Sequence, residues 1–158
     1  MELVKVAIWT QHPGDVLGDA IDFVTHGCAQ HAGFIRGNGR IHELYPPQVR
    51  DRDIADGERP FLKTFDPEGL TDGLSAKLER HFDAVLEWTA KGDGISYSVE
   101  DLFRIWLNIP KPPDGQMVCS QYVFHMLRMI GLPPLVRCDE DFISPRDLWI
   151  SPRLEDRT

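Results

Sequence analysis

QMVCSQYVFHMLRMIG, Gln116 to Gly131, reads as one helix with a cysteine at its mouth. Pro112-Pro113-Asp114-Gly115 ahead of it cannot continue a helix and marks a start. Gly131 followed by Pro133-Pro134 marks the stop. Val123, Leu127 and Ile130, with Phe124 and Met126 nearby, recur at helical spacing, so one face is directed at a core. Cys119 and Ser120 fall in the first turn, where unpaired backbone N–H groups and the positive end of the helix dipole favour a negative charge. A thiol placed there has a reason to ionise, and the thiolate is the nucleophile. A free cysteine is more often just a small buried hydrophobe. The helix therefore needs a second element before it signals chemistry.

That element is HAGFIRGNGRIHELYP, from His31 to Pro46. Two strand-like runs, His31–Arg36 and Arg40–Tyr45, flank Gly37-Asn38-Gly39, and Asn-Gly between such runs is a strong hairpin signal. Thiol chemistry needs an imidazole to move the proton and a polar group to orient the imidazole. His31 opens the first strand, and His42 and Glu43 lie on the returning one. A two-residue loop at Asn38-Gly39 puts His42 on the face of His31. A three-residue loop or a bulge shifts the register by one and brings Glu43 round instead. Hairpin counting leaves both open. Taken singly, each residue has a plainer reading: His31 as a hydrogen-bonded strand-end histidine, Glu43 as a solvated strand residue, His42 as a surface histidine.

With 158 residues the chain suits a single domain, 1–158, with a core of its own. Its net charge of −8, without a basic run, argues against a nucleic-acid partner. No apolar stretch approaches membrane-spanning length. The N-terminal MELVKVAIWTQ lacks the basic start and cleavage site of a signal peptide, so a cytoplasmic setting is the default expectation. Delivery by a phage or a secretion system would leave no such mark. Three cysteines, Cys28, Cys119 and Cys138, imply no disulfide framework and fit a reducing compartment. Cys28 precedes a strand, and Cys138 sits beside Asp139, Glu140 and Asp141, which disfavour a thiolate. Only Cys119 is placed for reactivity.

The remaining elements make an α+β pattern. Val4–Trp9 is β-rich and ends in the turn Gln11–Asp15, and Val16–Val24 suits a short helix. Gln48–Pro60 is charged and without periodicity, a surface loop, and Phe61–Phe65 is a short strand. Leu74, Leu78, Phe82, Val85 and Leu86 define an amphipathic helix to about Ala90, capped by Thr71 or Asp72. A second helix runs over Tyr97–Leu107, with Ser98 as its cap and Asp101 in the capping-box position. It is apolar around much of its circumference, as suits burial or contact with an apolar ligand. Ser144–Trp149 is a turn leading into a short final element.

With hairpin and cysteine helix both placed, the chain resembles the NlpC-like branch of the papain-fold cysteine hydrolases. More narrowly, it is similar to the circularly permuted group of lecithin:retinol-acyltransferase-like proteins and bacterial cell-wall-hydrolase relatives, in which the histidine hairpin precedes the cysteine helix. The matching pieces are Gly14-Asp15, HAGFIRGNGRIHEL, VCSQYV and SPRDLW near the end. The resemblance implies a papain-like α+β fold, with an antiparallel sheet and the nucleophile at a helix N-terminus. It implies Cys119 as nucleophile, His31 as general base and Glu43 as the third polar residue, which requires the shifted hairpin register; His42 is the reserve. The Cys119 backbone N–H would serve an oxyanion, with Gln116 as a candidate side-chain donor. The implied activity is an amidase or peptidase acting on cell-wall-type or other small peptides, with no cofactor. An acyl-transfer or esterase activity with the same residues, and a non-catalytic binding domain of the same fold, are the alternatives. Zinc held by His26, Cys28 and His31 with Cys119 or Cys138 is a weaker reading, because the spacing matches no ligand pattern. A phosphate loop is weaker again, since Gly37 and Gly39 open no helix. Oligomeric state is not legible.

Overall fold

The computed structural model describes residues 2–10, 29–107, 116–135 and 140–156. Cys28, Cys138, the expected Val16–Val24 helix and the Pro112–Gly115 start signal lie outside the described residues. The described chain is α+β, with eight strands in one mixed sheet. In chain order the strands and helices are β1 Lys5–Thr10, β2 Ala29–Ile35, β3 Ile41–Tyr45, β4 Gln48–Arg52, β5 Leu62–Pro67, α1 Asp72–Ala90, β6 Ser96–Tyr97, α2 Val99–Leu107, β7 Gln116–Met117, α3 Cys119–Met129, α4 Pro145–Trp149 and β8 Leu154–Asp156. The sheet order is β7-β6-β4-β3-β2-β1-β5-β8.

Two sequence expectations need correction here. The sheet is not wholly antiparallel: β6 and β7 pair in parallel. They are joined through α2, and a connection of that length is what a parallel pair requires. Gln48–Arg52, expected to be loop, is a strand paired along its length with β3. Its charged residues concealed it, yet only one of its five residues is exposed. Val49 points to the core, while its polar side chains meet polar partners on the hairpin.

The hairpin register is decided by its loop. Arg36 N–H donates to Arg40 O at 2.8 Å and Gly39 N–H to Arg36 O at 2.8 Å, enclosing the three residues 37–39. Gly39 has φ +82°, the left-handed conformation that a glycine bulge at this point of a hairpin requires. Phe34 then pairs with His42, and Ile35 with Ile41. Strand alternation puts Phe34, His42 and Leu44 with Val6, Ile8, Ala32 and Val49 on one face of the sheet. Ala7, Trp9 and Ile41, with His31 and Glu43, belong to the other.

Helices cover the first face. α3 packs on β2 and β3, α4 on β2, and α1 on β4. Leu78 and Phe82 of α1 and Val123 and Leu127 of α3 are buried in this core. Enclosing a side chain such as Leu127 contributes ~1.5–3 kcal/mol. Thr71 caps α1, its hydroxyl accepting from Leu74 N–H at 3.3 Å. Ser98 caps α2, accepting from Asp101 N–H at 3.1 Å. α3 begins three residues later than its sequence signal, because Gln116 and Met117 pair with β6 and Val118 remains extended. Cys119 is therefore the first helical residue. The helix ends where Gly131 turns left-handed, with φ +87°, and Leu132 N–H returns to Leu127 O at 2.9 Å.

Candidate active site

The first turn of α3 meets β2, and there the Cys119 thiol lies near enough to the His31 imidazole to favour its charged form. Val118 offers no side-chain cap to this turn. Instead the Gln121 amide oxygen turns back to accept from Val118 N–H at 3.0 Å, and its amide nitrogen donates to Asp141 O at 2.8 Å. Ser120 donates to Ile143 O at 2.7 Å. These ties hold the mouth of the helix in place. Cys119 itself is buried.

His31 Nε2–H donates to Glu43 Oε2 at 2.9 Å. Glu43 is fully buried, and its other oxygen accepts from Arg50 Nε at 2.9 Å and Arg52 Nε at 2.6 Å. Arg52 continues to Glu58 on the 3₁₀ turn Asp56–Phe61, donating at 2.5 Å. Burial opposes ionisation of Glu43, but His31 and Arg52 outweigh it and hold the carboxyl far below its usual range. Burial likewise disfavours a charged His31; the Cys119 sulfur and Glu43 overcome it and raise the imidazole to about 10. His31 thus sits between two groups that favour its charged form.

Aromatic rings frame the imidazole. Trp9 lies 5.0 Å from it, centroid to centroid, and Tyr45 meets it edge-on at 5.5 Å. Arg50 stacks over Tyr45 at 4.1 Å. Gly33 makes this crowding possible: a Cβ there would stand 3.1 Å from Glu43 Cβ, 3.1 Å from His42 O and 3.4 Å from Trp9.

The structure therefore brings together Cys119, His31 and Glu43, and it sends His42 elsewhere. His42 is not a surface residue. It is fully buried on the helix side of the sheet, paired with Asp51 at 2.6 Å and Tyr122 at 2.7 Å and stacked on Phe82 at 4.1 Å. Burial lowers its pKa despite Asp51. Gln116 is exposed on β7. Arg50 and Arg52 escaped the sequence reading because their strand looked like loop. The alternation of Arg50 and Arg52 with Val49 and Asp51, directly after a Pro-Pro turn, was the available signal.

Among the described residues, no group of three or more His, Cys, Asp or Glu side chains is arranged to hold a metal ion. No helix among them is long and apolar enough to cross a membrane. Compared with known proteins, the sequence matches no family model and no curated relative.

Proposed function

We propose that the protein is a cysteine hydrolase of papain-like, permuted NlpC type, acting on the amide bonds of cell-wall-type or other small peptides. The observation that carries this reading is the continuous line from the Cys119 thiol through His31 to the buried Glu43 carboxylate. Glu43 occupies Nε2, which leaves Nδ1 to the sulfur. The thiolate form of Cys119, with the His31 imidazole beside it to carry the proton, attacks the substrate carbonyl carbon. The tetrahedral oxyanion lies against the first-turn N–H groups of α3. As the C–N bond breaks, His31 gives its proton to the leaving amine, and an acyl-enzyme remains on Cys119. Neutral His31 then takes a proton from water, whose oxygen attacks the thioester. The carboxylic acid leaves and the thiolate–imidazolium pair returns. Glu43 holds the ring's orientation and stabilises its charged form without itself taking the proton.

A second reading, acyl transfer or ester cleavage with the same residues, has one observation in its favour. Ile105 of α2 packs on Val118, next to Cys119, while Leu107 on the same helix is 55% exposed. An apolar acyl chain would suit that neighbourhood.

The test is trapping of the acyl-enzyme. Activated peptide amides and short-chain and long-chain p-nitrophenyl esters are incubated with the protein, and the adduct is located by mass spectrometry. A mass gain confined to Cys119, lost in Cys119→Ser and slowed in His31→Ala, supports the reading. Equal labelling of Cys28, Cys119 and Cys138 overturns it. Preference for long-chain esters over peptides would favour acyl transfer.

A further inference from the structure

Cys119 and Tyr122 are one turn apart on α3, and each meets a histidine of the same hairpin backed by a carboxylate. Cys119 meets His31 with Glu43; Tyr122 meets His42 with Asp51. The first is the one the proposed function uses, and its histidine keeps some exposed surface. In the second, neither Tyr122 nor His42 has any, and His42 is stacked on Phe82.

We infer that Tyr122 and His42 are positioning residues that set the height and rotation of α3 against the hairpin, and so bring the Cys119 sulfur to His31. This rests on Cys119 being the nucleophile. The apolar residues of α3, Val123, Phe124 and Leu127, are held by non-directional contacts, which resist displacement but fix a helix poorly along its axis. The Tyr122–His42 bond is directional and buried. His42 Nδ1–H donates to Asp51, which leaves Nε2 to accept from the Tyr122 hydroxyl. Both ring nitrogens and the hydroxyl are satisfied in one registry only. A slip of one residue, about 1.5 Å and 100°, would strand a hydroxyl and an imidazole in the core, where unpaired polar groups are costly.

The far end of the chain is anchored too. Asp51 also accepts from Arg36 Nη1 at 2.7 Å, and Arg36 reaches Glu79 at 2.7 Å and Asp83 at 2.6 Å on α1. Gly37 N–H adds a bond to Glu79 at 2.8 Å. Burial raises the Tyr122 hydroxyl above its ordinary range, keeping it a neutral donor. The hairpin is thus tied to α1 at its tip, and through His42 to α3 one turn beyond the nucleophile.

The experiment measures iodoacetamide alkylation of Cys119 at neutral pH, well below the unfolding midpoint, in the parent, His31→Ala, Tyr122→Phe, His42→Gln and His42→Leu. A sulfur moved off His31 loses at most what His31→Ala loses, roughly tenfold in rate at neutral pH. Expected are losses of that size in Tyr122→Phe and His42→Leu, with near-parent rates in His42→Gln. Its amide can both accept from Tyr122 and donate to Asp51. If Tyr122→Phe does not fold, the His42 pair decides by the same criterion. Parent-like rates in Tyr122→Phe and His42→Leu, alongside a slow His31→Ala, overturn the inference and leave the hydrolase reading standing. A parent no faster than His31→Ala overturns both. Failure of Tyr122→Phe and His42→Leu alike to fold would mark the pair as core-holding only and would also overturn it.

Discussion

The Nε2 atom of His31 and the Oε2 atom of Glu43 stand 2.9 Å apart across the hairpin, with the carboxylate wholly buried. Glu43 accepts from three side chains at once, so its orientation is fixed before any substrate arrives. The imidazole it supports has the Cys119 sulfur as its other charge-favouring neighbour.

Cys119 reactivity should depend on His31 at neutral pH and lose that dependence in alkali. His31 holds its proton up to about 10. His31→Ala should slow alkylation by roughly tenfold at neutral pH, and the gap should close as pH rises through that value. A pH series of iodoacetamide rates checks this. Parallel profiles for parent and variant would count against the ion pair.

Glu43→Gln should lower stability by about 2 kcal/mol at neutral pH, less than the ~3–5 of a fully enclosed pair, because Arg50 is 43% exposed and can turn to water. The pH dependence has a definite sign. The folded carboxyl lies below its ordinary 4.5, so its contribution is present above that value and is lost as pH falls through the folded one. Urea titrations of parent and variant should therefore converge in acid. A difference that persists undiminished near pH 2 would reject the electrostatic account.

Gly33→Ala should cost about 1–3 kcal/mol, the range for forcing atoms into a packed space. The new Cβ meets the Glu43 Cβ and the His42 carbonyl, both fixed by the backbone, rather than the end of a flexible chain. Alkylation of Cys119 should slow in the same variant, since Glu43 has to move. Thermal unfolding and alkylation rate measure the two effects separately.

Arg52→Lys should lose about 1 kcal/mol although it keeps the charge. Arg52 bridges Glu43 through Nε and Glu58 through Nη1, and a single ammonium cannot reproduce that fork. Urea unfolding midpoints test it; equality with the parent would mean that the bridge to the 3₁₀ turn contributes nothing.

Much of the local structure was legible in the sequence. Asn38-Gly39 announced the hairpin, and Leu74 to Leu86 announced α1. Thr71 and Ser98 announced their caps, because periodicity, turn chemistry and capping act between near neighbours. Cys119 at the mouth of a helix was legible for the same reason. The later start of α3 was not, since Gln116 and Met117 are drawn off by a strand some twenty residues away in the chain. Nor was β4, whose charged side chains look solvated until Glu43 and His42 stand opposite them.

The sequence by itself determined which residue types were in play: one cysteine with a helix dipole behind it, one strand-end histidine, and two rivals to orient it. Only the tertiary structure decided between the rivals. A β-strand reverses its face with every residue, so one residue of loop length at Gly39 turned Glu43 toward His31 and buried His42 against Tyr122.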